Sequence, residues 1–326
     1  MMEADNRPQA TIMIPTCGRH RVLVLLLASL HRSGHWPDGD IELMIVNNNP
    51  QQSTESAAVA TLAAEYGAVL IAGAGPKSQS LNAAATLATG ELLVFLDDDT
   101  TVTDPRWLKE LVGQFDDGVG YVAGDVQARQ TSTRPQQIWE EKGGLSKGKY
   151  ARHLKPPTGR HTNHAWRLKR VAAGANCAMR RAVFTEIGGF CEQLGAGTAI
   201  EGGETLEIVD RVLRAGYVAR YTPASRVLHE HPASARGLRA RLRGYARGDS
   251  GMALHLAMTQ QDALAAAWAL GGHQIYRATN LLRALVGAYP LPPRCALASL
   301  IGSVEGVYLY LTGRYSTAAS RPERVA

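Results

Sequence analysis

The chain is poor in cysteine and lacks long apolar runs. Its four cysteines, Cys17, Cys177, Cys191 and Cys295, are scattered over 326 residues, and none belongs to a CxxC pair. That spacing speaks against a zinc ribbon and against a disulfide framework. The apolar run VLVLLLASL (22–30) is too short to span a bilayer. The opening residues MMEADNRPQ have no basic stretch followed by an apolar one, so no export signal is expected. These absences predict a reducing, cytoplasmic setting. No GxGxxG follows the first expected strand and no GxxxxGK[ST] occurs. A dinucleotide dehydrogenase and a P-loop NTPase are therefore disfavoured.

What is present begins with an excess of positive charge. The net charge of +6 suggests anionic partners such as phosphates, acidic lipid or nucleic acid. The first hundred residues then alternate. ATIMI (10–14) reads as a strand, 15–19 as a loop and 20–33 as a helix. IELMIV (41–46) is a second strand, 53–66 a helix and AVLIA (68–72) a third strand. Ser80 to Ala88 is helical, with Gly90 as its stop. Strand–helix–strand repetition predicts a parallel sheet flanked by helices, in which ligands bind outside the carboxyl ends of the strands. Three such ends carry polar clusters: Pro15 to Arg19, Asn47-Asn48-Asn49, and Asp97-Asp98-Asp99.

The last cluster ends the stretch ELLVFLDDDTTV (91–102). Five apolar residues, Leu92 to Leu96, read as a strand buried on both faces. Three adjacent carboxylates repel one another unless positive charge sits between them. Strand alternation would turn Asp97 and Asp99 to one face and Asp98 to the other, an arrangement able to hold a divalent cation. The plainer alternative is a solvated strand end. Asp104-Pro105 reads as the N-cap and first residue of a helix over PRWLKELVGQF.

Residues 127–170 are polar, basic and aperiodic, and read either as a disordered insertion or as an acceptor-binding flap. Order resumes at VAAGANCAMRRAVFTEIGGF. After His231-Pro232, five arginines fall at helix-like spacing in 235–249. Two mostly apolar helical stretches follow, 252–288 and 294–312, broken by PLPP. They are expected to pack on the preceding domain, with the arginine-rich helix lying on an anionic membrane surface. A nucleic-acid partner is not expected, because only Tyr245 interrupts the arginines and no known module signature is present.

In order along the chain, TIMIPTCGR, IELMIVNNNP, LNAAATLATGELLVFLDDDTTV, GANCAMRRAVFTEIGGFCEQLGAGT, GGETLEIVDRVLRAGY and VLHEHP resemble the blocks of family 2 glycosyltransferases with the GT-A fold. The resemblance covers about residues 10–232. It implies an α/β fold with a mostly parallel central sheet and a catalytic domain over 1–232. The nucleotide-sugar half would be 10–125, the acceptor half 126–232, and a helical extension would occupy 233–326. It implies inverting transfer of a sugar from a UDP, dTDP or GDP donor to a hydroxyl acceptor, glycan or lipid-linked. A homo-oligomer is a further expected partner.

The resemblance also assigns residues. Asp97 to Asp99 match the DxD element, with Asp97 near the ribose or hydrated metal, Asp98 beside it and Asp99 ligating Mn²⁺ or Mg²⁺. Pro15, Thr16 and Arg19 match the block lining the nucleotide pocket. Asn47 stands where the family usually has an Asp that reads the base; an amide can accept a hydrogen bond there but carries no charge. Lys77, in a loop, would approach the phosphates, and His229 or His231 would complete the metal sphere. The usual Glu-Asp pair that supplies the general base reads Glu204-Thr205 here. Glu204, near the positive end of a helix, is the first candidate base. Glu207, beside Asp210 and Arg211, is the second, and Glu201 the third. Two alternatives remain: a donor-binding homologue without a competent base, and a sugar-1-phosphate nucleotidyltransferase.

Overall fold

A computed structural model describes residues 8–34, 40–48, 53–73, 75–157 and 165–314. Asn49 and Pro50, and residues 158–164 of the expected flap, lie outside the described residues. The amino-terminal half runs β1 (Ala10–Thr16), α1 (His20–Arg32), β2 (Ile41–Asn47), α2 (Ser53–Glu65), β3 (Val69–Ala72), α3 (Lys77–Ala85) and β4 (Leu92–Leu96). Then come β5 (Thr100–Val102), α4 (Trp107–Val112), β6 (Val119–Ala128), α5 (Arg134–Glu141), β7 (Arg152–Leu154) and α6 (Ala165–Leu168). The next group is β8 (Asn176–Arg180), α7 (Arg181–Glu186), α8 (Glu204–Arg214) and β9 (Val218–His229). Helices finish the chain: α9 (Ala235–Thr259), α10 (Ala263–Ala267), α11 (His273–Leu285) and α12 (Pro293–Leu311), with a π-helical turn at Trp268–Gly272 before α11.

The sheet order is β3-β2-β1-β4-β8-β6-β9-β5, with β7 on β9. β3, β2, β1 and β4 are parallel, as the alternation in the first hundred residues requires. β8 runs antiparallel between β4 and β6, and β6 is parallel to β9, so the sheet is mixed. All five residues of β4 are buried, which is why its sequence does not alternate. α1 covers one face with Leu23, Leu26, Leu27 and Leu30, spaced at three and four residues along one stripe.

Several boundaries differ from the sequence reading, each for a local reason. α3 begins at Lys77 behind Pro76 and ends at Ala85. Gly90 is therefore not its stop; its N–H donates to Thr11 Oγ1 (3.0 Å) at the entry to β4. α4 begins at Trp107. Asp104 and Pro105 form the turn before it, with the Asp104 carboxylate accepting from the Arg106 N–H (2.8 Å). The aperiodic stretch 127–170 carries the end of β6, then α5, β7 and α6, so its described part is neither disordered nor structureless. α5 opens on a capping box between Thr133 and Gln136.

α9 is one continuous helix of 25 residues that crosses the expected break near 250. Met252 and Leu256 on it join the main core, so the terminal helices continue that core. α12 packs along α9 with Gly302 and Gly306 against the carbonyls of Arg243 and Arg247. Glu305 of α12 accepts from both of those arginines. The arginines of α9 therefore do not form one free outward stripe. Among the described residues, no helix is long and apolar enough to cross a membrane.

Candidate active site

The sheet brings three strand ends together. Thr16 at the end of β1 lies in register with Asn47 at the end of β2, and β4 runs parallel on the other side of β1. Asp97, Asp98 and Asp99 leave β4 in a turn rather than as further strand. The turn separates the carboxylates as alternation would. Asp98, fully buried, accepts from Thr16 Oγ1 (2.6 Å) and from Arg19 Nε (3.1 Å). Asp97 accepts from the Lys77 ammonium, and Asp99 Oδ2 from Arg19 (3.1 Å).

The antiparallel pairing of β5 with β9 supplies the next residue. Thr100 faces His229 across that ladder, so the imidazole arrives beside Asp99, with Nε2 3.2 Å from Oδ1. One donor atom from each of Asp97, Asp99 and His229 lies within 4.8 Å of the others. Asp99 Oδ1 and His229 Nδ1 are buried without a hydrogen bond. Buried polar atoms normally find partners. Two carboxylate oxygens and one imidazole nitrogen suit a divalent cation of the Mn²⁺ type, so the residues fit the group.

Charges around the cluster are unequal. Burial pushes the Asp98 carboxyl up to about 6 against the pull of Arg19 and Thr16. Burial also works against ionised Asp99, but His229, Arg19 and Arg241 outweigh it and hold Asp99 below the usual carboxylate range. His231 is not part of the cluster, and its Nε2 lies 2.9 Å from Glu140 Oε1. Burial, reinforced by His229 and Arg241, lowers its pKa to about 4, so the ring is neutral at pH 7.

Lys77 connects the cluster to Glu204. The start of α3 is tied to the 194–196 loop by Lys77 N–H to Ala196 O (2.9 Å) and Ser78 Oγ to Leu194 O (2.8 Å). That loop leads into α8, whose first residue is Glu204. Burial disfavours the Lys77 ammonium, but Asp97 and Glu204 beside it raise its pKa above the ordinary 10.5. Burial raises the Glu204 carboxyl above its ordinary 4.5, opposed by Lys77 and reinforced by Asp97. Gly203, before α8, adopts φ +95°, and a side chain there would strike Met252 on α9. Gly248 of α9 in turn abuts the Gly202 backbone, so α9 backs the Glu204 loop directly.

The other candidates fall elsewhere. Glu207 is buried and engaged by Arg211 through both its oxygens (2.6 Å each). Glu201 is exposed, with Arg247 3.1 Å away. Asn47 is buried at the end of β2, its amide nitrogen donating to Ser56 Oγ (3.3 Å). Pro15 is buried one residue earlier on β1.

Two side chains absent from the sequence reading adjoin the cluster. Arg241, reaching in from α9, feels the charges of Asp99 and Asp97 and donates to the Tyr245 hydroxyl (3.4 Å). Arg129, just after β6, donates to the Asp99 carbonyl (3.3 Å) and to Thr101 Oγ1 (2.5 Å). Helical periodicity alone gave no sign that Arg241 points inward while Arg243 and Arg247 pair with Glu305.

A mixed sheet with acidic and basic side chains converging at its strand ends, backed by terminal helices, has the GT-A architecture. The chain belongs to glycosyl transferase family 2, whose family model matches residues 11–188. It is 27% identical over 234 residues to the O-antigen biosynthesis protein RfbC of Myxococcus xanthus, covering 70% of this chain and 18% of that one. It is 25% identical over 239 residues to the protein y4gI of Sinorhizobium fredii, covering 71% of this chain and 25% of that one. The chain thus spans a quarter or less of those relatives. Among solved structures it resembles a mannosyltransferase from Pyrobaculum calidifontis in complex with GDP-Man and Mn²⁺. The TM-score is 0.57 at 16% identity, covering 95% of this chain and 89% of that one. The family sets aside the nucleotidyltransferase alternative.

Proposed function

We propose that the protein transfers a sugar, with inversion, from a nucleoside diphosphate donor to an acceptor hydroxyl. The observation that carries this reading is the convergence of Asp97, Asp99 and His229 with Lys77 and Glu204 at the strand ends of a family 2 chain. Asp97, Asp99 and His229 would hold a divalent cation. When bound, it supplies neutralisation of the charge that develops on the leaving diphosphate. Lys77, Arg19 and Arg241 add fixed positive charge on the same side. Asp98, tied to Thr16 and Arg19, holds the turn that aims its two neighbours.

Glu204 is the general base. Its carboxylate takes the proton of the acceptor hydroxyl as that oxygen bonds to the anomeric carbon. The bond from the anomeric carbon to the diphosphate oxygen breaks, and its electron pair leaves with the nucleoside diphosphate. Attack opposite the leaving group inverts the anomeric centre. A pKa raised by burial makes the ionised Glu204 a stronger base than an exposed carboxylate.

The GDP-Man and Mn²⁺ in the similar mannosyltransferase support a nucleotide-sugar donor and a metal requirement. The O-antigen name of the Myxococcus relative supports a glycan or lipid-linked acceptor. We extend the proposal to a cytoplasmic enzyme seated peripherally at the inner face of a membrane, where such an acceptor would be presented. The test is incubation with UDP-, GDP- and dTDP-sugars, with Mn²⁺ or Mg²⁺ and with chelator. Nucleoside diphosphate release and anomeric configuration by proton NMR are read. Metal-dependent release with an inverted glycoside is expected. A retained anomer, or donor binding with no turnover for any acceptor, contradicts the proposal.

A further inference from the structure

α12 carries its small side chains inward and its large apolar ones outward. Ala296, Ser299, Gly302, Ser303 and Gly306 are buried on the inner side, which packs on α9. Leu297, Ile301, Val304, Tyr308 and Leu311 follow one another at four, three, four and three residues, which is a single helical stripe. They are between 40% (Ile301) and 60% (Leu311) exposed. The adjacent α11 does the same with Ile275, Tyr276, Leu282 and Leu285, and Trp268 is exposed in the π-turn before it. Apolar surface on this scale marks a docking face rather than ordinary scatter.

The charge on this face selects its occupant. Between 263 and 314 the chain has one carboxylate, Glu305, and it is engaged by Arg243 and Arg247. Arg283, Arg294 and Arg314 are exposed, and the Arg283 and Arg314 guanidiniums lie over the Tyr289 and Tyr308 rings. A two-fold dimer through this face would oppose the same arginines with no carboxylate between them. An anionic lipid surface complements the arginines and accepts Trp, Tyr and Leu at headgroup depth. No described helix can cross the bilayer, so the helices would lie along it.

We infer that the outward faces of α11 and α12 dock the protein on an anionic bilayer, with apolar side chains inserted and Arg283, Arg294 and Arg314 at the headgroups. This deepens the peripheral-membrane part of the proposed function and moves the contact from the arginines of α9 to the terminal helices. It stands independently of the transfer chemistry.

Flotation of the full chain with vesicles of phosphatidylcholine alone, and with about a third phosphatidylglycerol, tests it at low and high salt. The wild type is expected to float with the anionic vesicles, more weakly at high salt. The triple variant Leu297→Gln/Ile301→Gln/Tyr308→Gln is expected to lose at least about tenfold in partitioning with an unchanged circular dichroism spectrum. Arg294→Gln/Arg314→Gln should remove part of the salt-sensitive binding and decides the matter if the triple variant fails to fold. Wild type left at the bottom with both vesicles at low salt overturns the inference. So does undiminished flotation of the folded triple variant or, should it not fold, of the arginine pair. A concentration-dependent dimer that the triple variant abolishes, without lipid binding, replaces the bilayer with a second copy. Flotation uses no donor, so its failure is distinct from a failure of glycosyl transfer.

Discussion

Replacing Glu207 by Gln tells apart the two candidate bases of α8, Glu204 and Glu207. Both Glu207 oxygens accept from Arg211 at 2.6 Å. Arg211 also donates to the carbonyls of Ile187 and Gly189, so it keeps partners when Glu207 loses its charge. Breaking a fully buried pair costs about 3–5 kcal/mol. The Arg211 side chain is 27% exposed and otherwise bonded. The loss of charged hydrogen bonds, about 2 kcal/mol, is therefore the better figure. With an unfolding entropy of about 2.1 cal/mol/K per residue over 326 residues, Tm falls by about 3 °C. Differential scanning fluorimetry reads that shift, and donor turnover at saturating Mn²⁺ should stay within about twofold of wild type, since general-base loss costs far more. An unchanged Tm with turnover reduced about 100-fold or more would refute the reasoning and make Glu207 the base.

Three further outcomes follow from the same geometry. Asp99→Asn and His229→Ala should abolish Mn²⁺ binding measured by electron paramagnetic resonance, whereas Asp98→Asn, which alters the buttress to Thr16 and Arg19, should retain it; equal loss at all three positions would contradict the facing of the turn. The turnover rate should fall as pH drops through the raised Glu204 pKa, because the ionised carboxylate is the active form; Lys77→Met removes the opposing ammonium and should move that limb to higher pH in a pH–rate profile. Gly248→Ala places a Cβ 2.8 Å from the Gly202 backbone, which costs about 1–3 kcal/mol and should slow turnover while leaving the Mn²⁺ affinity intact.

The sequence made the first four strands and the acidic turn legible, because buried parallel strands are continuous apolar runs and the polar clusters fall at their ends. It did not show the antiparallel insertion of β8 or the pairing of β5 with β9. Those are contacts between residues far apart in sequence, Leu96 with Asn176 and Thr100 with His229 among them, and the second is what carries His229 to Asp99. α5 was legible in principle: Thr133 and Gln136 form a capping box, a local signal masked by the polar composition around it. Lys77, which the resemblance placed in a loop, is instead the first residue of α3, and its tie to Ala196 joins segments that are far apart in the sequence. Arg241 was hidden among five arginines of similar spacing; which of them turns inward depends on where α12 places Glu305. Thr205, in place of the family's usual Asp, sits with its Oγ1 3.5 Å from Glu204 Oε1, so the position that departs from the family pattern still adjoins the proposed base.

The central claim is that Glu204 removes the acceptor proton in a metal-dependent glycosyl transfer. Glu204→Gln keeps the shape of the side chain and removes its basicity. Donor affinity, read by isothermal titration with Mn²⁺ present, and turnover to nucleoside diphosphate should be measured on the same preparation. The account predicts unchanged donor binding with turnover lowered about 100-fold or more, the usual scale of a lost general base. Wild-type turnover in Glu204→Gln would contradict it.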